Sequence, residues 1–238
     1  MEKLQLRSFE STVRGSLKPN PEVFRIFRDA PYDILPQFRA PLGRENKPAR
    51  GRGKDHPRYG RFTYSMARAC RPEIIVEVGT YAGGTSIGWC RALAENGSGR
   101  LICVDNDSYC KGTYPEIAEE NLLATGLARN RFELINGDSR EIIPALAKEL
   151  EGQIDLYLVD ADHTYEGATI DITNGLPMLK PGGLVLVHDL DRARKMAERT
   201  PQHPHPVHEA FMEIVDKRGY SWCVLPFIRK HLGIFQIP

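Results

Sequence analysis

At 238 residues and a net charge of +1, the chain suits one α/β domain with an extension. The near-neutral balance argues against a general nucleic-acid binder, whose domains are strongly basic. No apolar run is long enough to span a bilayer, and the N-terminus MEKLQLRSFE lacks the apolar core of a secretory signal. The five cysteines (70, 90, 103, 110 and 223) show no C-x-x-C spacing and read as reduced thiols, with Cys90 and Cys103 in the core. A cytoplasmic protein is expected.

Residues 1 to about 60 are rich in Pro, Arg and Gly, with short apolar periodicity around Val23, Ile26 and Phe27. Within them, residues 39–61 hold eight Lys/Arg against Glu45 and Asp55. Such a stretch is either a solvated loop or a lid that orders over a substrate. Residues 1–60 are therefore read as an N-terminal extension (lid or oligomerisation segment) and 61–238 as the main domain.

From residue 61 onward, strand and helix signals alternate. Strands are predicted over 74–78, 101–105, 132–135, 154–160, 184–188, 222–226 and 232–237. Helices follow the first turn and cover 115–127, 139–150, 165–179 and 207–217, with Pro181-Gly182-Gly183 stopping the third of these four. This alternation implies a Rossmann-like, doubly wound, mostly parallel sheet covered on both faces. The last two strands are too close for a parallel crossover and should form an antiparallel hairpin. Seven strands result. Tyr220 and Trp222 are expected to pack that hairpin.

The stretch Ile74–Ser86, IIVEVGTYAGGTS, carries most of the functional information. A buried strand ends in Glu77, and Gly79, Gly83 and Gly84 then allow a tight turn and close ligand approach. A dinucleotide site would read G-x-G-x-x-G. Here the pattern is E-x-G-x-x-x-G, and its acid suits a cationic or hydroxyl-rich ligand. The motif resembles the first motif of class I S-adenosylmethionine (SAM)-dependent methyltransferases. The catechol O-methyltransferase-like branch, with an aromatic at Tyr81 and Ser/Thr at Thr85, is the nearest likeness.

That resemblance covers residues 60–238 and implies a cofactor site at the strand ends. Gly79, Tyr81, Gly83, Thr85 and Ser86 would pass the methionine tail of SAM. Glu77 and Asp160 would favour its ammonium and sulfonium charges. Asp105, 28 residues after Glu77, is placed to accept both ribose hydroxyls. Asp138 matches the acid that bonds the adenine amino group, with Ser139 beside it, although either residue could equally N-cap the next helix.

Two strand ends, VDADHTYE and VHDLD, bring together Asp160, Asp162, His163, His188, Asp189 and Asp191. So many ionisable groups at neighbouring ends need an offset to their repulsion, and a divalent cation would supply it. Metal-dependent O-methyltransferases resemble this closely. The resemblance implies Asp160, His188 and Asp189 as ligands to Mg²⁺, although the imidazole better suits Mn²⁺, Fe²⁺ or Zn²⁺. Leu190 stands where the catechol type has asparagine, which puts the third ligand in doubt. His163, three residues after Asp160, matches the general base of macrolide sugar methyltransferases.

The expected function is O-methylation of a small hydroxylated natural product or sugar. The alternatives are a cephalosporin hydroxylase-like metal enzyme and a non-catalytic SAM-binding module. Nucleic acid and membrane are not expected partners, whereas an extension of this size often docks on a partner subunit, leaving a homo-oligomer open. His203-Pro-His205-Pro-Val-His208 reads as a loop at the site's rim.

Overall fold

The computed structural model describes residues 13–31, 34–36, 56–110, 112–191, 202–226, 228 and 230–238. Most of the basic 39–61 stretch lies outside them, as do residues 192–201. The parallel strands are β2 (Ile74–Val78), β3 (Arg100–Asp105), β4 (Phe132–Asn136), β5 (Ile154–Val159) and β6 (Leu179–His188). Two further strands, β7 (Ser221–Leu225) and β8 (Leu232–Gln236), close the chain as an antiparallel hairpin. Among the described residues the sheet has eight strands in the order β1-β7-β8-β6-β5-β2-β3-β4, one more than predicted. The extra strand is β1 (Arg14–Gly15), a two-residue edge paired to β7. No apolar pattern announces so short an edge.

Period-two alternation divides the buried strand residues between two cores. Ile75, Leu101, Cys103, Leu156, Leu158 and Leu186 face one layer. Val76, Val78, Ile102, Val104, Tyr157, Val159, Val185 and Val187 face the other. The first layer is covered by α1 (Pro21–Asp29), α2 (His56–Cys70) and α3 (Ser86–Asn96). The second is covered by α5 (Ser139–Glu149), α6 (Tyr165–Gly175) and α7 (Pro206–Arg218). Between β3 and β4 lies the short α4 (Glu116–Leu123). As expected, Trp222 packs edge-on against Phe211 and Tyr220 stacks on Phe235.

Two local differences from the sequence reading have physical causes. The Pro181-Gly182-Gly183 stretch does not precede β6 but lies within it, at a register shift against β5. Glycine and proline fit a strand where the ladder is interrupted. Arg61, at the end of the basic stretch, is 4% exposed. Its guanidinium donates to the carbonyls of Phe27 and Ala30, both at 2.6 Å, and lies over the Phe27 ring. A cation satisfying the open carbonyls at the end of α1 stabilises that terminus.

Helices α2 and α3 meet through glycine. A Cβ at Gly88 would lie 2.1 Å from both the Gly60 carbonyl oxygen and Thr63 Oγ1. Gly97, which ends α3 in the left-handed region at φ +73°, has no atom within 4 Å of a built Cβ. Gly88→Ala is therefore expected to destabilise by about 3 kcal/mol through overpacking against backbone. Gly97→Ala should cost about 1 kcal/mol, from the left-handed conformation alone. Urea unfolding of the two variants checks the difference; equal losses would contradict the close helix contact.

Candidate active site

The five parallel strands end at one edge of the sheet, and β2, between β3 and β5, stands where the chain order reverses. Open α/β sheets bind ligands at such a point. A cavity of about 660 Å³ opens there, lined by residues from all five strand ends.

The turn after β2 forms one wall. Gly79 has φ +88°, and a Cβ on it would come within 2.1 Å of the Asp160 carbonyl oxygen. Tyr81 also has positive φ, +54°, and its N–H donates to Asp105 Oδ2 at 2.7 Å. Asp105 Oδ1 accepts from Asp107 N at 2.8 Å. Burial raises the Asp105 pKa, and these two backbone donors oppose the shift. Asp138 and Ser139 line the cavity beyond β4. Asp138 also caps α5, accepting from Arg140 N at 2.9 Å, so the capping reading of that residue holds.

Gly79, Tyr81, Asp105, Asp138, Ser139 and Asp160 all line the cavity. The rest of the proposed cofactor set (Glu77, Gly83, Thr85 and Ser86) lies off its wall. Gly83 continues the turn at φ +83°. Thr85 precedes α3, with its carbonyl accepting from Thr63 Oγ1 at 3.1 Å. Ser86 Oγ donates to Glu77 Oε1 at 2.9 Å. Alternation turns Glu77 into the apolar layer, 1% exposed. Burial pushes its pKa from 4.5 to about 8, Ser86 opposing and Asp160 adding to the rise. The Trp89 indole pulls weakly the other way, without a well-aligned bond between its Nε1 and Glu77 Oε2.

The acid and imidazole cluster fills the opposite wall. His163 Nε2 lies 3.3 Å from Asp160 Oδ1 and 3.0 Å from Asp189 Oδ2. His188 Nδ1 lies 3.1 Å from Asp160 Oδ2 and 3.2 Å from Asp189 Oδ1. Burial opposes ionisation of Asp160, but His188 and His163 outweigh it and hold the carboxyl below its usual range. Asp189 behaves alike, burial being outweighed chiefly by His163. Burial would lower the His163 pKa, yet Asp160 and Asp189 raise it to about 9.

Ligand atoms of Asp160, His163 and Asp189 all lie within 4.8 Å of one another, and His188 meets both carboxylates. Two hard carboxylate donors suit Mg²⁺, and the imidazoles extend the choice to Mn²⁺, Fe²⁺ or Zn²⁺. The donor set fits a divalent cation. Asp162 and Asp191 stand apart from it: Asp162 pairs with Arg140 at 3.2 Å and Asp191 faces His231 at 3.8 Å.

Two residues of this wall escaped the sequence reading. Lys230 Nζ reaches Asp189 Oδ2 at 2.8 Å from the turn between β7 and β8. Its signal was the antiparallel register, which pairs Leu232 with His188 and so carries Lys230 beside Asp189. Tyr59 on α2 stacks on the His188 ring, with centroids 4.3 Å apart. His203, by contrast, stacks on Tyr165 and pairs with Glu209 at 2.6 Å. It lies outside the metal-competent group found among the described residues.

The strand order and the crevice at its reversal point are similar to those of class I methyltransferase domains. Residues 76–190 match the family model described as "Methyltransferase domain". A catechol O-methyltransferase from Niastella koreensis is 29% identical over 148 residues, 62% of this chain and 63% of the relative. The aligned stretch spans about three fifths of the length of the first curated relatives it matches. Among solved structures that share the fold are two O-methyltransferases. An O-methyltransferase of tomaymycin synthesis from Streptomyces achromogenes, bound to SAM, has a TM-score of 0.59 at 22% identity, covering 75% of this chain and 78% of its own. An O-methyltransferase from Bacillus cereus with S-adenosylhomocysteine (SAH) scores 0.62 at 14% identity, covering 98% and 100%.

Glu77 gives a pH prediction. Its folded-state pKa lies above its unfolded value, so its contribution is full below about pH 4.5 and is lost as pH rises through about 8. The wild type should therefore lose stability relative to Glu77→Gln between pH 5 and 8, by a few kcal/mol. Urea unfolding at both pH values, without ligand, reads this directly. Parallel pH profiles would show that Glu77 ionises freely in the folded protein.

Proposed function

We propose that the protein is a SAM-dependent, divalent-metal-assisted O-methyltransferase whose acceptor is a hydroxyl of a small natural product or sugar. The observation that carries this reading is one cavity bounded by a glycine turn with a ribose-competent acid and, opposite, by two carboxylates and two imidazoles. Relatives named as O-methyltransferases support it.

In this reading Gly79–Gly83 backbone groups take the methionine carboxylate of SAM. Asp105 accepts from the ribose hydroxyls, while Asp138 and Ser139 meet the adenine edge. Thr85, Ser86 and Glu77 support the turn from beneath rather than touching the ligand. Asp160 adds a negative charge near the sulfonium.

Bound SAM supplies an electrophilic methyl carbon, to which the acceptor oxygen bonds as the carbon–sulfur bond breaks, leaving SAH. Asp160, Asp189 and His188 would hold Mg²⁺ or Mn²⁺, whose Lewis acidity lowers the pKa of the acceptor hydroxyl. His163 would take the acceptor proton once the charge of Asp160 and Asp189, which otherwise holds its imidazole protonated, is offset. Tyr59 keeps the His188 ring in place by stacking. Lys230 offsets part of the carboxylate charge. We place the protein in the cytoplasm, where thiols such as Cys90 and Cys103 stay reduced.

Calorimetric titration of metal-stripped protein with SAM, then with Mg²⁺ and Mn²⁺, tests the assignment before any acceptor is known. Saturable SAM binding and a separate metal isotherm lost in Asp160→Asn and Asp189→Asn are expected. With an acceptor in hand, His163→Ala should lower kcat by about 10²–10⁴-fold and leave the SAM Kd unchanged. Failure to bind SAM would sink the reading. Turnover that demands dioxygen and a reductant would indicate a hydroxylase on the same fold.

A further inference from the structure

Asp171 on α6 has no part in the chemistry proposed above, yet it is an acid only 1% exposed. Among the described residues its side-chain hydrogen-bond partner is a hydroxyl: Ser139 Oγ donates to Asp171 Oδ1 at 2.6 Å. Oδ2 is buried with no hydrogen-bond partner among the described residues. The Asp162 N–H pulls on the carboxylate without completing a bond to that oxygen.

As a staple between α5 and α6 this pair is poor. A half-satisfied buried carboxylate costs more than one hydroxyl returns, and an apolar side chain of similar volume would hold the helices better. What the acid does is fix the hydroxyl. With its hydrogen committed to Asp171, Ser139 Oγ can present only lone pairs to the cavity it lines.

We propose that Asp171 is a positioning residue that makes Ser139 an obligate hydrogen-bond acceptor, so that this end of the cavity selects a base bearing an amino group over one bearing a carbonyl. The proposal rests on reading the cavity as a SAM site. Asp105 and Asn136 are register partners on adjacent parallel strands, about 4.8 Å apart. A ribose held at Asp105 therefore sets its base over the end of β4, where Ser139 opens α5. Asp138 is a second acceptor there. Two acceptors match the two hydrogens of adenine's exocyclic amine, whereas a 6-oxo base would oppose lone pair to lone pair.

The test is calorimetric binding of SAH and its 6-oxo analogue, S-inosylhomocysteine, to the wild type, Ser139→Ala, Asp171→Ala and the double variant. Asp171→Asn serves as an isosteric control for folding. The wild type is expected to favour SAH at least about 30-fold, since a mismatched buried polar pair is heavily penalised. The ratio should fall about tenfold in Asp171→Ala, because Ser139 is then free to donate, and hold in Asp171→Asn, whose amide oxygen still accepts the Ser139 hydrogen. It should fall similarly in Ser139→Ala and no further in the double variant. Equal weakening of both ligands, with the ratio intact, would make Asp171 merely structural and overturn the proposal. So would a wild type that does not discriminate. Binding of neither ligand by the wild type would overturn the SAM reading itself, and the proposal with it.

Discussion

The close passage of two backbones, one leaving β2 and one leaving β5, sets the geometry of the whole crevice. With the built Cβ of residue 79 only 2.1 Å from the Asp160 carbonyl oxygen, and φ at +88°, only glycine can stand there. Asp160 N–H donates to the Val78 carbonyl and Gly79 N–H to the Val104 carbonyl, so the ladder runs one residue beyond the strands on both sides. The glycine turn and the β5 acid therefore share a wall. A ligand gripped by the turn is held about one strand spacing from the carboxylate–imidazole cluster. Orientation of this kind is where much of a methyl-transfer rate enhancement would come from.

Which face of the sheet an acid meets then decides how its charge is managed. Asp160 and Asp189 stand at strand ends, where His163, His188 and Lys230 converge on them and hold both ionised. Glu77 belongs to the same sheet but points into the apolar layer, beside Cys103 in register and with Ser86 as its hydrogen-bond donor. Burial there favours the neutral acid up to about pH 8. A third full negative charge beneath the cluster would raise the cost of keeping the other two ionised. The neutral carboxyl avoids that cost while still tying the turn to α3.

The parallel core was legible in the sequence because strands buried on both faces leave continuous β-branched and leucine runs. The same logic exposed Asp105, Asp160, His188 and Asp189, since a polar residue that ends such a run falls at the sheet edge. Glu77 was legible as a motif residue but not as a buried one, because its side is fixed only once the strand phase is known. Lys230 and Tyr59 reach the cluster across 41 residues from Asp189 and through a ring stack on His188. No local pattern encodes either approach. Arg61 was hidden by its neighbours' charge: in a run of basic residues, one buried guanidinium looks like the rest. Asp171 was concealed by its helix, where an acid in mid-sequence reads as solvent-facing.

The residues outside the strand–helix alternation are not ornaments on this core. Arg61 ties α2 to the end of α1, and the Gly60–Gly88 contact seats α2 on α3, which together fix the position of Tyr59 against His188. On the other flank, Asp189 takes a left-handed backbone conformation at φ +65°. The hairpin turn braces it, Asp191 N–H donating to the Lys230 carbonyl at 2.8 Å and the Lys230 ammonium reaching the Asp189 side chain. Strain of about 1–3 kcal/mol at such a position persists only where neighbours over-determine it. The parallel strands thus deliver the acids and the glycine turn, while α2 and the hairpin hold the second imidazole and the buried aspartate in working orientation. Changes in those flanking pieces would reshape the entrance and the cluster's outer side while leaving the glycine-turn half of the cavity where the strand ends put it.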